Sequence, residues 1–233
     1  MDLRNARVLV TGGSSGIGFE TARLLKERGA GVAICGRDRK KLEQAASEID
    51  VFPIVADVGS ESDVVRLVGE VIEEMDDYNV LINNAGFGSF SPLVDLKIES
   101  MLDVMATNVI GATIVARESA RHFVARGYGN IVNIASTAAQ RGFAGGSAYV
   151  ASKFALSGLT ECWRAELRKH NIRVMQVNPS EVLTEFYATS GREQKGSHRK
   201  LRPLEIAQTI ASMLELDDRG FITEATVWAT NPE

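Results

Sequence analysis

Short apolar runs rich in β-branched residues alternate along this chain with longer stretches whose apolar residues recur every three to four positions. The runs are Arg7-Val8-Leu9-Val10, Val32-Ala33-Ile34-Cys35, Phe52-Pro53-Ile54-Val55-Ala56, Val80-Leu81-Ile82, Ile131-Val132-Asn133-Ile134-Ala135 and Ile172-Arg173-Val174-Met175-Gln176-Val177, with residues 221–229 as a last one. Most lack the polar alternation of a half-solvated strand, which predicts strands buried on both faces. Helices are predicted over residues 19–28, 40–49, 60–75, 97–126, 149–170 and 203–214. The stretch 60–75 shows the pattern well: Val64, Leu67, Val68, Val71 and Ile72 form one stripe, with Ser60 or Ser62 as N-cap. Such alternation predicts an α/β fold, a parallel sheet covered on both faces. With no internal repeat, low-complexity tract or linker, residues 1–233 read as one domain. The stretch 181–202 lacks a strong period, carries Gly191 and Gly196, and is expected to form a lid beside a site.

Ligands of such sheets sit beyond the carboxyl ends of the strands. Several candidate groups fall there. The first strand runs straight into Thr11-Gly12-Gly13-Ser14-Ser15-Gly16-Ile17-Gly18, and a helix follows. Glycines serve where a backbone turns tightly or approaches a ligand closely, and a helix N-terminus attracts phosphate. An ordinary βα turn is the alternative. After the second strand comes Gly36-Arg37-Asp38-Arg39. An acidic residue there commonly takes the ribose hydroxyls of NAD, and an arginine accommodates the extra phosphate of NADP. Gly36 offers no carboxylate and Arg37 can fork onto a phosphate, which favours NADP; Asp38 next door is the counter-argument. Asp57-Val58, Asn84-Ala85-Gly86 and Ser136 end the third, fourth and fifth strands.

Tyr149-Val150-Ala151-Ser152-Lys153 opens a helix just downstream. Tyr149 and Lys153 are one turn apart and share a face. A cation near a phenol favours the phenolate, which predicts a pKa below the usual value of ~10. A phenol so tuned can exchange a proton with a carbonyl or alcohol near neutral pH. A surface pair of no consequence is the alternative when the two residues are considered alone. Asn108 is a polar residue within an apolar helical patch (Met101, Leu102, Val104, Met105, Val109, Ile110); a buried mid-helix Asn bonds locally or bends its helix.

Composition narrows the class. A net charge of −4 and ordinary charged content give no basis for nucleic-acid binding. Cys35 and Cys162 lie far apart, which fits a reducing compartment and makes neither a disulfide framework nor a metal-ligand set. No apolar run comes near the ~20 residues of a membrane span, and the N-terminus has no signal pattern, so a cytoplasmic protein is expected. His122, His170 and His198 are expected on the surface or lid. Arg192, Lys195, Arg199, Lys200 and Arg202 read as a solvated lid face, or as a docking patch for an acidic carrier protein or an anionic substrate. Phe87, Phe90, Phe143, Phe186 and Tyr187 are candidates for an apolar substrate pocket, and Trp163 for the core or a subunit interface.

Together the Thr11–Gly18 turn, Asp57-Val58, Asn83-Asn84-Ala85-Gly86, Asn108, Ser136 thirteen residues before Tyr149, Tyr149 with Lys153, and Asn178-Pro179 with Thr184 resemble the short-chain dehydrogenase/reductase family, in its compact, NADP-preferring branch similar to 3-ketoacyl-carrier-protein reductases. The resemblance implies a Rossmann-type three-layer, doubly wound fold with a mostly parallel seven-stranded sheet. It implies hydride transfer between NADP(H) and a carbonyl or secondary alcohol, with Tyr149 as general acid/base, Lys153 holding the nicotinamide ribose and lowering the Tyr149 pKa, Ser136 bonding the substrate oxygen, and Asn108 positioning a relay water. Cofactor contacts are implied for Gly12, Ser14, Ser15, Gly16, Ile17, Gly18, Arg37, Asp57, Val58, Asn84, Ala85, Gly86, Tyr149, Lys153, Pro179, Val182 and Thr184, and no metal. Asn84 is implied either to contact the adenosine half or to brace its strand. A homodimer or homotetramer built on the long helices is implied as well. The narrower alternative is a β-ketoacyl thioester reductase; the other class is a non-catalytic NADP-binding scaffold. Two departures stand out: Pro179-Ser180 where the family usually has Pro-Gly, and a short C-terminal end without the Gly-rich finish of the β-ketoacyl reductases.

Overall fold

The computed structural model describes residues 1–186 and 199–231. Its centre is a seven-stranded sheet in the order β3-β2-β1-β4-β5-β6-β7. The strands are β1 (Arg7–Thr11), β2 (Gly31–Gly36), β3 (Phe52–Val55), β4 (Val80–Asn83), β5 (Gly129–Ile134), β6 (Ile172–Pro179) and β7 (Glu224–Val227). Every neighbouring pair is parallel, so the mostly parallel sheet that was expected is parallel throughout.

The helices are α1 (Gly16–Glu27), α2 (Arg39–Ile49), α3 (Glu61–Glu74), α4 (Ile98–Met105), α5 (Ala112–Arg126), α6 (Ser147–Leu167) and α7 (Pro203–Glu215). Side chains alternate across the pleat, so each strand feeds two cores. Val8, Val10, Ile34, Ile82 and Val177 pack with Leu24, Leu25, Ile206 and Ile210 of α1 and α7 on one face. Leu9, Leu81, Ile131 and Val174 pack with Val64, Leu67, Val115 and Phe123 of α3 and α5 on the other. This is the physical reason that the strands read as unbroken apolar runs. Ser60 caps α3 by accepting from the Asp63 amide, as its sequence position suggested.

Three local expectations change. The predicted 97–126 helix is divided by a wide π turn, Ala106–Gly111, which joins α4 to α5 and turns Asn108 inward. The continuous helix Ile98–Arg126 is also long and apolar enough to cross a membrane by length and composition, against the expectation that no stretch could; 39% of its most apolar window is buried inside this fold. The last strand is four residues long rather than nine, because it bonds β6 only along Gln176–Pro179. The lid expected over 181–202 falls largely on residues 187–198, outside the described residues, as do Tyr187, Gly191, Arg192, Lys195, Gly196 and His198. Its two described flanks meet: Val182 bridges Leu201, and the Leu183 amide donates to the Leu201 carbonyl at 2.8 Å.

Candidate active site

The strand order reverses direction between β1 and β4, and ligand crevices of doubly wound sheets open at such a point. A cleft of about 1190 Å³ opens there. Its walls include Gly12, Ser14, Ser15, Gly16, Ile17, Arg37, Asp57, Val58, Asn84, Ala85, Gly86, Ser136, Tyr149, Lys153, Pro179, Val182 and Thr184. Gly18 and Asn108, the remaining two expected site residues, stand behind the wall rather than in it.

The glycine turn is built for close approach. Gly12 has φ +65, a conformation that L side chains rarely adopt. A Cβ on Gly18 would lie 2.3 Å from the Gly12 carbonyl oxygen, so the turn and α1 can touch only without a side chain there. Ser15 precedes α1 without making a side-chain cap, leaving first-turn N–H groups open to an anion at the cleft. Asn84 braces the turn: its Nδ2 donates to the Thr11 and Gly12 carbonyls at 2.9 and 3.2 Å. Of the two roles implied for Asn84, bracing is the one its hydrogen bonds support. Thr11 Oγ1, fully buried, accepts from the amides of Asn84 and Ala85, both at 2.9 Å. Thus β1 and β4 are tied together at their carboxyl ends. The cleft at the switch point, the side-chain-free turn and the open helix terminus fit a dinucleotide.

At the far end of β2, Asp38 is occupied as the N-cap of α2, accepting from the Lys41 amide at 3.0 Å. Arg37 is exposed and lies 3.9 Å from Asp57, which itself holds the Gly59 amide. Lys41 and Glu185 form an ion pair, and both residues line the cleft.

The chemical end lies on α6 and the end of β5. Ser136 lies two residues past β5 and caps a short 3₁₀ turn through the Ala138 amide at 3.1 Å. Tyr149 lies in the first turn of α6, its ring between Phe90 and Phe186 at 5.5 and 5.4 Å between centroids. Phe90 also faces Phe143 at 6.0 Å. Lys153 is buried, lies 5.7 Å from the centre of the Tyr149 ring and donates to the Ile134 carbonyl at 2.9 Å.

Burial decides the protonation of both groups. It pushes the Tyr149 phenol up to about 12, with a hydrogen bond to Ser136 pulling the other way. That rise runs against the lowering expected from the Tyr149–Lys153 spacing: with Phe90 and Phe186 packed against the ring, desolvation dominates. Burial likewise brings the Lys153 ammonium down to about 8. At neutral pH the phenol holds its proton and Lys153 is mostly charged.

Asn108, implied to position a relay water, has its side-chain amide engaged with protein: Oδ1 accepts from the Phe87 amide at 3.0 Å, and Nδ2 donates to the Phe87 carbonyl at 2.9 Å and to Ser152 Oγ at 3.0 Å. Its side chain fastens the loop after β4 to α6.

Thr11 and Ser152 were not picked out from the sequence as site residues. Each had a signal: Thr11 closes β1 directly before the glycine turn, and Ser152 precedes Lys153 on the helix that carries the site. Ser180 replaces the usual glycine without strain; it lines the cleft, and its amide continues the ladder by donating to the Val227 carbonyl at 2.9 Å. His122, expected at the surface, stacks on buried Tyr78 with ring centres 5.9 Å apart, and burial lowers its pKa. Trp163 packs on the core. Among the described residues no group of three His, Cys, Asp or Glu side chains could hold a metal ion.

Comparison with known proteins agrees with this geometry. The family model for the short chain dehydrogenases matches residues 6–195. The "NADP-dependent 3-hydroxy acid dehydrogenase" of Schizosaccharomyces pombe is 30% identical over 96% of this chain and 92% of its own length. An uncharacterized oxidoreductase of Bacillus subtilis is 32% identical over 84% of this chain, which spans 58% of that relative. Among solved structures, an alcohol dehydrogenase of the archaeon Thermococcus sibiricus in complex with 5-hydroxy-NADP superposes with TM-score 0.88 at 26% identity, covering 97% of this chain and 98% of the other. The chain belongs to the short-chain dehydrogenase/reductase family of nicotinamide-dependent oxidoreductases.

Proposed function

We propose that this chain is an NADP(H)-dependent oxidoreductase that interconverts a carbonyl and a secondary alcohol. The observation that carries this reading is the convergence of Ser136, Tyr149 and Lys153 on the cleft lined by the glycine turn. When bound, the dinucleotide supplies or accepts the hydride. In reduction the protonated Tyr149 hydroxyl donates to the carbonyl oxygen. Ser136 donates a second hydrogen bond, so that charge developing on that oxygen is stabilised. In oxidation Tyr149 enters as the phenolate and takes the alcohol proton, and the Lys153 cation on the same helix face favours that form. Lys153 would also hold the nicotinamide ribose.

Arg37 supports NADP over NAD. It stands free at the cleft edge apart from a long contact with Asp57, whereas Asp38, the acid that could have taken ribose hydroxyls, is held by the α2 terminus. Phe90 and Phe186 against Tyr149, with Phe143 beside Phe90, favour a carbonyl with an apolar substituent. A carrier-protein thioester is less well supported, since Lys200 of the basic stretch is paired with Glu181 at 2.7 Å. Exposed Leu102, Ile110 and Phe154 on α4, the π turn and α6 support a homo-oligomer through these helices. Two unpaired thiols, Cys35 and Cys162, fit a cytoplasmic setting.

The test is NADPH oxidation across a panel of ketones, diketones and acyl thioesters. Turnover of aryl or alkyl ketones is expected. A folded protein that binds NADPH and turns over none of them would contradict the reading.

A further inference from the structure

Beside the catalytic cleft lies a second, smaller pocket of about 400 Å³, lined by Thr137, Ala138, Arg141, Gly142 and Phe143. It shares Thr137 and Phe143 with the cleft, so the two cavities adjoin directly past Ser136. The loop after the 3₁₀ turn builds this pocket, and the reaction as described makes no use of it.

Its chemistry points to an anion. Arg141 has no carboxylate within 4 Å among the described residues, whereas most guanidinium groups of this protein are paired with acids. The guanidinium carbon sits 5.2 Å from the centre of the half-exposed Trp228 ring, a contact that leaves its N–H donors unspent. Glu224, an acid on neighbouring β7, is engaged elsewhere: it accepts from Gln140 Nε2 at 3.1 Å and from Asn178. The Thr137 hydroxyl has no protein partner among the described residues, and a Cβ on Gly142 would meet nothing within 4 Å. An oriented cation, a spare hydroxyl and open space therefore share one small pocket next to the reacting carbonyl's position.

We propose that this pocket is an anion subsite that takes the carboxylate of the substrate, so that the protein acts on oxo acids and their hydroxy-acid partners whose apolar part lies against Phe90 and Phe186. The proposal rests on the carbonyl–alcohol reading above for the meaning of the cleft, but its test needs no turnover. The probes are phenylacetate and its uncharged analogue phenylacetamide, titrated by ligand-observed NMR into wild-type protein with and without NADP⁺.

Phenylacetate is expected to bind about tenfold more tightly than the amide, with the preference shrinking as salt is raised from 50 to 500 mM, since the cation is solvent-exposed. Arg141→Met, which keeps an apolar stem over Trp228 but removes the charge, is expected to abolish the preference and leave amide binding unchanged. Arg141→Lys should retain part of it. Equal binding of acid and amide, no binding of either, or a preference that survives Arg141→Met would each overturn the proposal and leave Arg141 as a cover for Trp228. A silent ketone assay alongside a clear, Arg141-dependent acid preference would instead count against the reductase reading alone.

Discussion

The side-chain amide of Asn108 donates to Ser152 Oγ at 3.0 Å, and Ser152 Oγ donates in turn to the Tyr149 carbonyl at 2.7 Å. Through this chain the π turn holds the first turn of α6, and with it Tyr149. Ser152→Ala leaves one Asn108 N–H buried and unpaired, a cost of about 1–3 kcal/mol. Urea unfolding should show that loss, and kcat should fall about tenfold with NADPH affinity unchanged, because the glycine turn is not touched. A variant of unchanged stability and kcat would mean that the bond positions nothing.

The role proposed for Lys153 is set against stability. Its ammonium is buried with one carbonyl partner, and its pKa sits near 8 rather than 10.5. Below about pH 8 both folded and unfolded chains carry the proton, and the folded state bears the full desolvation cost. Between about 8 and 10.5 the unfolded chain binds more protons, so stability rises with pH as this cost is relieved. Lys153→Met is therefore expected to be inactive yet more stable than wild type at pH 7, by about 1–3 kcal/mol. The gain should shrink towards pH 10. Tyr149 behaves oppositely: its raised pKa of about 12 contributes stability that is present below about pH 10 and lost as pH climbs towards 12. Denaturant midpoints of wild type and Lys153→Met at pH 7 and 10 measure the first effect directly.

Thr11 ties two strand ends with one hydroxyl. Thr11→Val keeps the shape but leaves the Asn84 and Ala85 amides without their acceptor. A stability loss of about 1–3 kcal/mol is expected, two unmade bonds that are each only part-buried. NADPH binding should weaken about tenfold as the turn loosens, and Thr11→Ser should restore both.

Arg37→Ala tests the cofactor assignment. Loss of a charge-assisted contact to the ribose phosphate should weaken NADPH by about 10–100-fold while leaving NADH within about twofold. Fluorescence titration of both nucleotides distinguishes this from a general loss of binding.

Much of this site could be read from residue order because strand ends are easy to see. The unbroken runs around Leu9, Leu81 and Ile131 signal burial on both faces, and their carboxyl ends place Gly12, Asn84 and Ser136 on one rim without further information. The i, i+4 spacing likewise put Tyr149 and Lys153 on one face. What could not be read depends on tertiary surroundings. The raised Tyr149 pKa follows from Phe90 and Phe186, which are remote in sequence, and helical spacing to Lys153 carries no information about that desolvation. The π turn at Asn108 arises where the amide must reach Phe87 and Ser152 at once, a demand invisible along one helix. The short β7 depends on its register against β6, which no pattern within residues 221–229 encodes.

The central claim is that Tyr149 moves the proton, and Tyr149→Phe tests it most directly. With NADPH and a ketone that the wild type reduces, kcat/KM is expected to fall about 10³-fold, while the NADPH dissociation constant stays within about twofold. A Phe variant that keeps activity within tenfold of wild type would contradict the account.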